Sequence, residues 1–139
     1  MIVLDTNVVS EVFRPRPNPG VVTWLESLTG HVAITAVTLA ELRAGIERLA
    51  DGKRKSALTT ALNAVLEQYR ATQAILPFDD AAAEEYAAVL LVRERAGKPI
   101  HTADAQIAAI CRAHRATCAT RNINDFVDTG IELVDPWNA

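Results

Sequence analysis

Asp5, Glu41, Asp104 and Asp125 are four carboxylates spread over most of a 139-residue chain, each beside a segment that reads as a strand or a helix. Asp5 follows the apolar run Ile2-Val3-Leu4, Glu41 and Asp104 lie near the starts of two predicted helices, and Asp125 follows Ala116–Thr120. In an open parallel sheet, ligands bind outside the carboxyl ends of the strands, and each crossover helix starts on that same edge. All four acids are therefore expected at one rim. Stability alone does not ask for so much negative charge in one place. A divalent cation does: Mg2+ or Mn2+ takes oxygen ligands and keeps several waters, so a few carboxylates suffice to hold it. Such an ion polarises a phosphoryl oxygen and helps generate hydroxide from a bound water, the chemistry of phosphodiester hydrolysis without a covalent enzyme intermediate.

Each acid also has a structural reading by itself. Asp5 can start a turn, and Glu41 with Thr38 fits a Thr-x-x-Glu capping box. Asp104, two residues after Thr102, suits the positive end of a helix macrodipole. Asp125 can cap the turn into Phe126. Their joint arrival at one edge favours the cation site. A phosphotransferase with an aspartyl nucleophile after its first strand wants a second acid two residues on, and Asn7 stands there.

The elements that must position these residues alternate between strand and helix. Met1–Asp5 reads as a buried strand stopped by Asp-Thr-Asn. Val8–Phe13 is helix-compatible until Arg14-Pro15-Arg16-Pro17, and Asn18-Pro19 opens a helix as N-cap and first-turn proline. His31–Thr35 is a second strand. Residues 36–50 place Leu39, Leu42, Ile46 and Leu49 on one helical face. After Asp51-Gly52 a further helix carries Leu58, Leu62, Val65, Leu66 and Tyr69. Ile75–Phe78 is a third strand, Asp79 or Asp80 caps a helix that closes at Gly97 and Pro99, and Thr102 opens the next. Ala116–Thr120 and Ile131–Val134 complete the strands. This alternation implies a mostly parallel sheet in an α/β fold.

Half of the residues are hydrophobic and 22% are charged, which fits one globular domain over 1–139 and excludes a disordered tail. There is no secretory signal pattern and no apolar run near the roughly 20 residues that span a bilayer, so no membrane role and a cytoplasmic location are expected. Cys111 and Cys118 lack zinc-ligand spacing and read as packing residues. The net charge of −3 leaves no overall basic footprint for nucleic acid. A cation in the acid cluster offsets part of that negative charge, and dimerisation or one-sided placement of basic residues can gather a binding surface.

Four stretches, in order and spacing, carry a family resemblance that runs nearly end to end. They are Ile2-Val3-Leu4-Asp5-Thr6-Asn7, Glu41-Leu42-Arg43-Ala44-Gly45-Ile46, Asp104-Ala105-Gln106-Ile107-Ala108-Ala109 and Thr120-Arg121-Asn122-Ile123-Asn124-Asp125-Phe126. The chain resembles the PIN-domain family, specifically VapC-type ribonuclease toxins and the related FitB-like proteins. The resemblance implies a three-layer α/β/α fold with a central, mostly parallel sheet. It places Asp5, Glu41, Asp104 and Asp125 in an acidic Mg2+/Mn2+ site that hydrolyses RNA, with Thr6, Asn7, Thr120 and Asn122 as polar residues supporting it. It further implies a homodimer neutralised by a VapB-type antitoxin that sends a basic residue toward the acids. The alternative within the family is a non-catalytic PIN scaffold that binds nucleic acid or a protein partner.

His101, just ahead of Thr102-Ala103-Asp104, departs from the proline or small residue often found there in the family, and reads either as a substrate or proton contact or as a solvent-facing helix start. Arg43 and Arg121 flank acidic motifs and are the candidates for RNA phosphate contact. Lys53-Arg54-Lys55 reads as a solvated charge run. Trp24 and Trp137 read as core or interface anchors rather than base-stacking platforms.

Overall fold

A computed structural model describes residues 1–139. Short segments of two to four residues become strands, and three of them end on, or are closely followed by, a residue that caps the next helix. The strands are β1 (Ile2–Leu4), β2 (Val32–Thr35), β3 (Ile75–Leu76), β4 (Thr117–Ala119) and β5 (Leu133–Val134). The helices are α1 (Thr6–Val12), α2 (Pro19–Glu26), α3 (Ala36–Glu47), α4 (Lys53–Ala71), α5 (Asp80–Arg95), α6 (Thr102–His114) and α7 (Ile123–Phe126). Asp5 caps α1, Thr35 caps α3 and Asp79 caps α5, each through a side-chain oxygen that accepts from a first-turn N–H.

The five strands form one parallel sheet in the order β3-β2-β1-β4-β5. Successive strand residues face opposite layers. Val3, Ala33 and Cys118 enter a core built with Val89, Ile107, Ile110 and Phe126 of α5, α6 and α7. Leu4, Ile34 and Ala119 enter a second core with Val8 and Val9 of α1 and Leu62 and Leu66 of α4. The fold is thus the three-layer α/β/α arrangement with a parallel sheet. Each fully buried Leu or Ile contributes about 1.5–3 kcal/mol relative to exposure, so both layers hold the sheet firmly. Cys111 and Cys118 are free and buried in the first core. No helix is long and apolar enough to cross a membrane.

The chain builds outward from β1 to β2 and β3, then returns to place β4 on the other side of β1. The crevice where the strand order reverses lies at the carboxyl ends of β1 and β4.

Two local expectations are corrected. The capping box assigned to Thr38 and Glu41 does not form. Thr35 is still extended (φ −99°, ψ 158°) and its Oγ1 accepts from the Thr38 N–H at 3.0 Å, so Thr38 sits inside the helix and Glu41 is released from any capping role. Nor does Asp125 cap the turn into Phe126: it lies inside α7, a single helical turn that includes Phe126, has Asn122 at its N-cap position and is too short to leave a periodic pattern in sequence.

Candidate active site

Asp5 sits at the reversal crevice and is 5% exposed. Its Oδ1 accepts from the Thr6 N–H at 2.8 Å, and its Oδ2 from the Thr120 hydroxyl at 2.8 Å and the Asn7 amide at 3.2 Å. Asn7 Oδ1 accepts from the Arg121 N–H at 3.1 Å, and the Thr120 hydroxyl accepts from the Asn122 N–H at 3.0 Å. The start of α1 is therefore stitched to the chain leaving β4. Burial raises the Asp5 carboxyl above the usual carboxylate range, against the hydrogen bonds from Thr120 and Thr6 and with help from the charges of Glu41 and Asp125.

Glu41 lies in the second turn of α3, where its Oε1 accepts from the Thr6 hydroxyl at 2.8 Å. That hydroxyl is also 3.1 Å from Thr38 Oγ1. Asp104 is the third residue of α6. Its carboxyl is pushed up to about 6, first by burial and then by the charges of Asp5, Asp125 and Glu41, with His101 opposing. His101 occupies the N-cap position of α6 with an exposed side chain that does not cap it.

Asp125 is exposed on α7, close enough for its charge to raise both Asp5 and Asp104. It is held through its backbone. Arg93, 5% exposed, donates from Nη1 to the carbonyls of Asp125 (2.8 Å) and Val127 (3.0 Å) and from Nε to that of Lys98 (2.6 Å). Arg112 pins the same loop further on, donating to the Thr129 carbonyl at 2.9 Å. Gly130 (φ +81°) takes a left-handed conformation there that other residues rarely adopt, and a Cβ would also stand 2.7 Å from the Arg112 guanidinium. Sequence reasoning passed over Arg93. Its signal was a cation four residues after Val89, on the face of α5 that enters the core.

An open cleft of about 450 Å³ brings Asp5, Glu41 and Asp104 together with Thr6, Asn7 and Asn122; Asp125 does not line it but is near enough for its charge to raise Asp5 and Asp104. The Asn122 side chain caps nothing and lines the cleft, and its backbone N–H donates to the Thr120 hydroxyl. Arg14 and Glu11 line the other wall. Glu11 is held below the usual carboxylate range by the Asn18 N–H at 3.1 Å and then by Arg14 at 3.2 Å. Of the two arginines singled out in sequence, Arg121 lines the cleft and Arg43 does not. Arg43 turns toward α4 and donates to Asn63 Oδ1 at 2.5 Å, a partner that only the packing of α3 on α4 supplies. Lys55 of the basic run pairs with Asp51 at 3.3 Å and Glu47 at 3.8 Å, a structural role. Trp137 both flanks the second core and reaches the cleft, where the Arg121 guanidinium lies 5.0 Å over its ring.

The donors in this cleft are hard oxygens, which suit Mg2+ or Mn2+. Asp104, raised first by burial and then by three neighbouring acids, is a disfavoured negative charge of the kind a cation relieves. The residues fit such an ion by donor type and charge. No three of the acids are drawn into a closed ligand set.

Residues 2–131 match the PIN domain. Toxin FitB of Neisseria gonorrhoeae is 42% identical over 139 residues, covering 99% of each chain, and a crystal structure of FitAcB from that organism superposes with a TM-score of 0.93 over 100% of both chains at 41% identity. A VapC ribonuclease of Sinorhizobium fredii is 36% identical over 138 residues, covering 99% of this chain and 98% of the relative. VapBC2 from Rickettsia felis, bound to a DNA fragment from its promoter, shares the fold at a TM-score of 0.79 and 25% identity over 96% of this chain and 98% of that one.

Proposed function

The chain belongs to the PIN-domain family, and from that premise we propose that it is a Mg2+- or Mn2+-dependent endoribonuclease, the toxin of a VapBC-type toxin–antitoxin pair. The observation that carries this reading is the convergence of Asp5, Glu41 and Asp104 on one cleft, with Asp125 near enough to help push Asp104 to about 6. Relatives named as a toxin and as a VapC ribonuclease, each matched almost end to end, support it.

Asp5, Glu41, Asp104 and Asp125 are the residues that would hold the cation. When bound, it supplies charge stabilisation at the phosphoryl oxygens and a more acidic water. The chain's own residues prepare for this. The Thr120 hydroxyl and Asn7 amide hold Asp5 Oδ2 in one orientation, and Thr6 holds Glu41 Oε1. Such partners act by orienting the carboxylates and limiting their freedom. Burial and the neighbouring acids disfavour the Asp104 carboxylate, so a cation in the cleft would relieve a charge that Asp104 carries at a cost. Arg121 offers the phosphate backbone a cation on the same cleft.

The partner reading follows from the same charge. An acidic cleft of this kind accepts a basic side chain from a VapB-type antitoxin as a charge-assisted pair. A homodimer and a cytoplasmic location complete the proposal. The alternative, a non-catalytic scaffold for nucleic acid or protein, has one observation on its side: the acids are not pre-closed around a point.

The deciding experiment is cleavage of labelled structured RNAs by purified protein with Mg2+, with Mn2+ and with chelator, alongside Asp5→Asn. Metal-dependent cutting that Asp5→Asn reduces at least a hundredfold supports the nuclease. Equal cutting by both proteins, or none on any RNA, returns weight to the scaffold.

A further inference from the structure

We propose that Trp137 and Arg121 form a nucleotide subsite beside the acid cluster, in which the indole ring receives an RNA base and the guanidinium a backbone phosphate. The inference deepens the nuclease reading and rests on it. Among the residues lining the cleft, Trp137 is the one hydrophobic side chain, set in a wall otherwise made of acids, amides, hydroxyls and arginines. It is placed there by structure. Its backbone N–H donates to Asp135 Oδ1 at 2.9 Å, and its ring packs on the flank of the second core. A large aromatic surface kept at the edge of a polar cleft has a use that core packing alone does not require.

Arg121 completes the pair. Its guanidinium lies 5.0 Å over the Trp137 ring, and its backbone N–H is fixed by Asn7, which also holds Asp5. Of the other arginines near the site, Arg93 is buried on three carbonyls and Arg43 turns away to Asn63, while Arg14 lines the same cleft but is tied to Glu11. The Arg121 side chain joins none of the ion pairs and makes no protein hydrogen bond. Glu11, an acid whose charge it feels, is already satisfied by the Asn18 N–H and Arg14. The guanidinium is therefore free to leave the ring for an anion, and in doing so it uncovers the indole face for a base.

The chemistry of both residues points to single-stranded RNA. Every base has a π-face that stacks on an indole with little sequence preference. A guanidinium matches a phosphate with two parallel N–H donors and also lies flat on aromatic faces. The acid cluster repels a polyanion, so attraction has to come from the adjoining wall, and these two residues are placed to supply it.

The chain has two tryptophans, so Trp24→Phe leaves Trp137 as the sole reporter. With chelator present to prevent turnover, a single-stranded RNA oligonucleotide is expected to quench its fluorescence. If Trp24→Phe fails to fold, the difference between wild type and Trp137→Phe carries the same signal. In cleavage assays Trp137→Ala is expected to raise KM about tenfold with kcat within about threefold, and Trp137→Phe to retain most of the affinity. Arg121→Ala is expected to weaken binding and to flatten its salt dependence, whereas Trp137→Ala leaves the salt slope unchanged. An unquenched Trp137 together with an unaltered KM in Trp137→Ala overturns the subsite, even where wild type cuts RNA and the nuclease stands. Quenching by RNA that is never cleaved supports the subsite as a binding site while the nuclease reading fails.

Discussion

The two sides of the cleft hold their acids by different means. On the β1 side, Asp5 and Glu41 are held by their own carboxylate oxygens: Asp5 accepts three hydrogen bonds and Glu41 one, all from donors in α1 or just after β4. On the β4 side, Asp125 is held through its main chain by Arg93, and Asp104 is carried by the first turn of α6. A carboxylate gripped by side-chain donors is well oriented but has given up acceptor sites. One positioned through its backbone keeps both oxygens for a ligand and carries its charge unrelieved. The β1 side therefore reads as the fixed half of the site and the β4 side as the half whose charge a ligand must neutralise.

The largest test of this contrast is Arg93→Met. It removes one buried cation and leaves the carbonyls of Lys98, Asp125 and Val127 without their donor. A loss of about 3–5 kcal/mol is expected in denaturant unfolding, in the range for breaking a buried charged network. If Arg93→Met unfolds at the wild-type midpoint, the main-chain clamp is not what holds α7.

Next comes Asp104→Asn, which probes the unrelieved charge. The Asp104 carboxyl is raised from 3.8 to about 6 on folding. The native state thus binds this proton more tightly than the unfolded chain. Its contribution to stability is complete below about 3.8 and disappears as pH rises through about 6. Allowing for partial solvent screening, roughly 1–2 kcal/mol is lost over that window. Asp104→Asn should therefore match wild type near pH 3.5 and be more stable by that amount at pH 7.5. Adding Mg2+ should narrow the gap. Identical pH profiles for the two proteins would show that neither burial nor the neighbouring acids raise Asp104.

Thr6→Val is the smallest and addresses the fixed half. It leaves Glu41 Oε1 without its 2.8 Å donor while nearly preserving shape. A stability cost of about 1 kcal/mol is expected, with a roughly tenfold loss of metal affinity or activity typical of removing an orienting partner. Unchanged metal affinity by titration calorimetry would mean that Glu41 does not depend on this hydroxyl.

What the sequence determined by itself is the part written in local patterns. The apolar run stopped by Asp5, the helical stripe of residues 36–50 and a cap at Asp79 or Asp80 follow from backbone hydrogen bonding and side-chain periodicity, and these act over a few residues; the structure chose Asp79, and put the cap of α3 at Thr35 rather than Thr38. From their alternation came the parallel sheet, and from the parallel sheet the common edge for the acids. Strand ends were less legible, and Met1–Asp5 shortens to Ile2–Leu4 because pairing with two neighbours decides where a ladder stops.

Tertiary structure decided which partner each long polar side chain takes. Arg43 and Arg121 look alike beside their acidic motifs, yet one turns to Asn63 on α4 and the other to Trp137. Arg93 was a lone cation on an apolar face until α7 packed against it. Trp137 read as an anchor, and its place at the cleft depends on β5 lying beside β4. The physical reason is reach. A flexible side chain has many rotamers of similar energy, and the choice among them is made by donors and acceptors that come from distant parts of the chain.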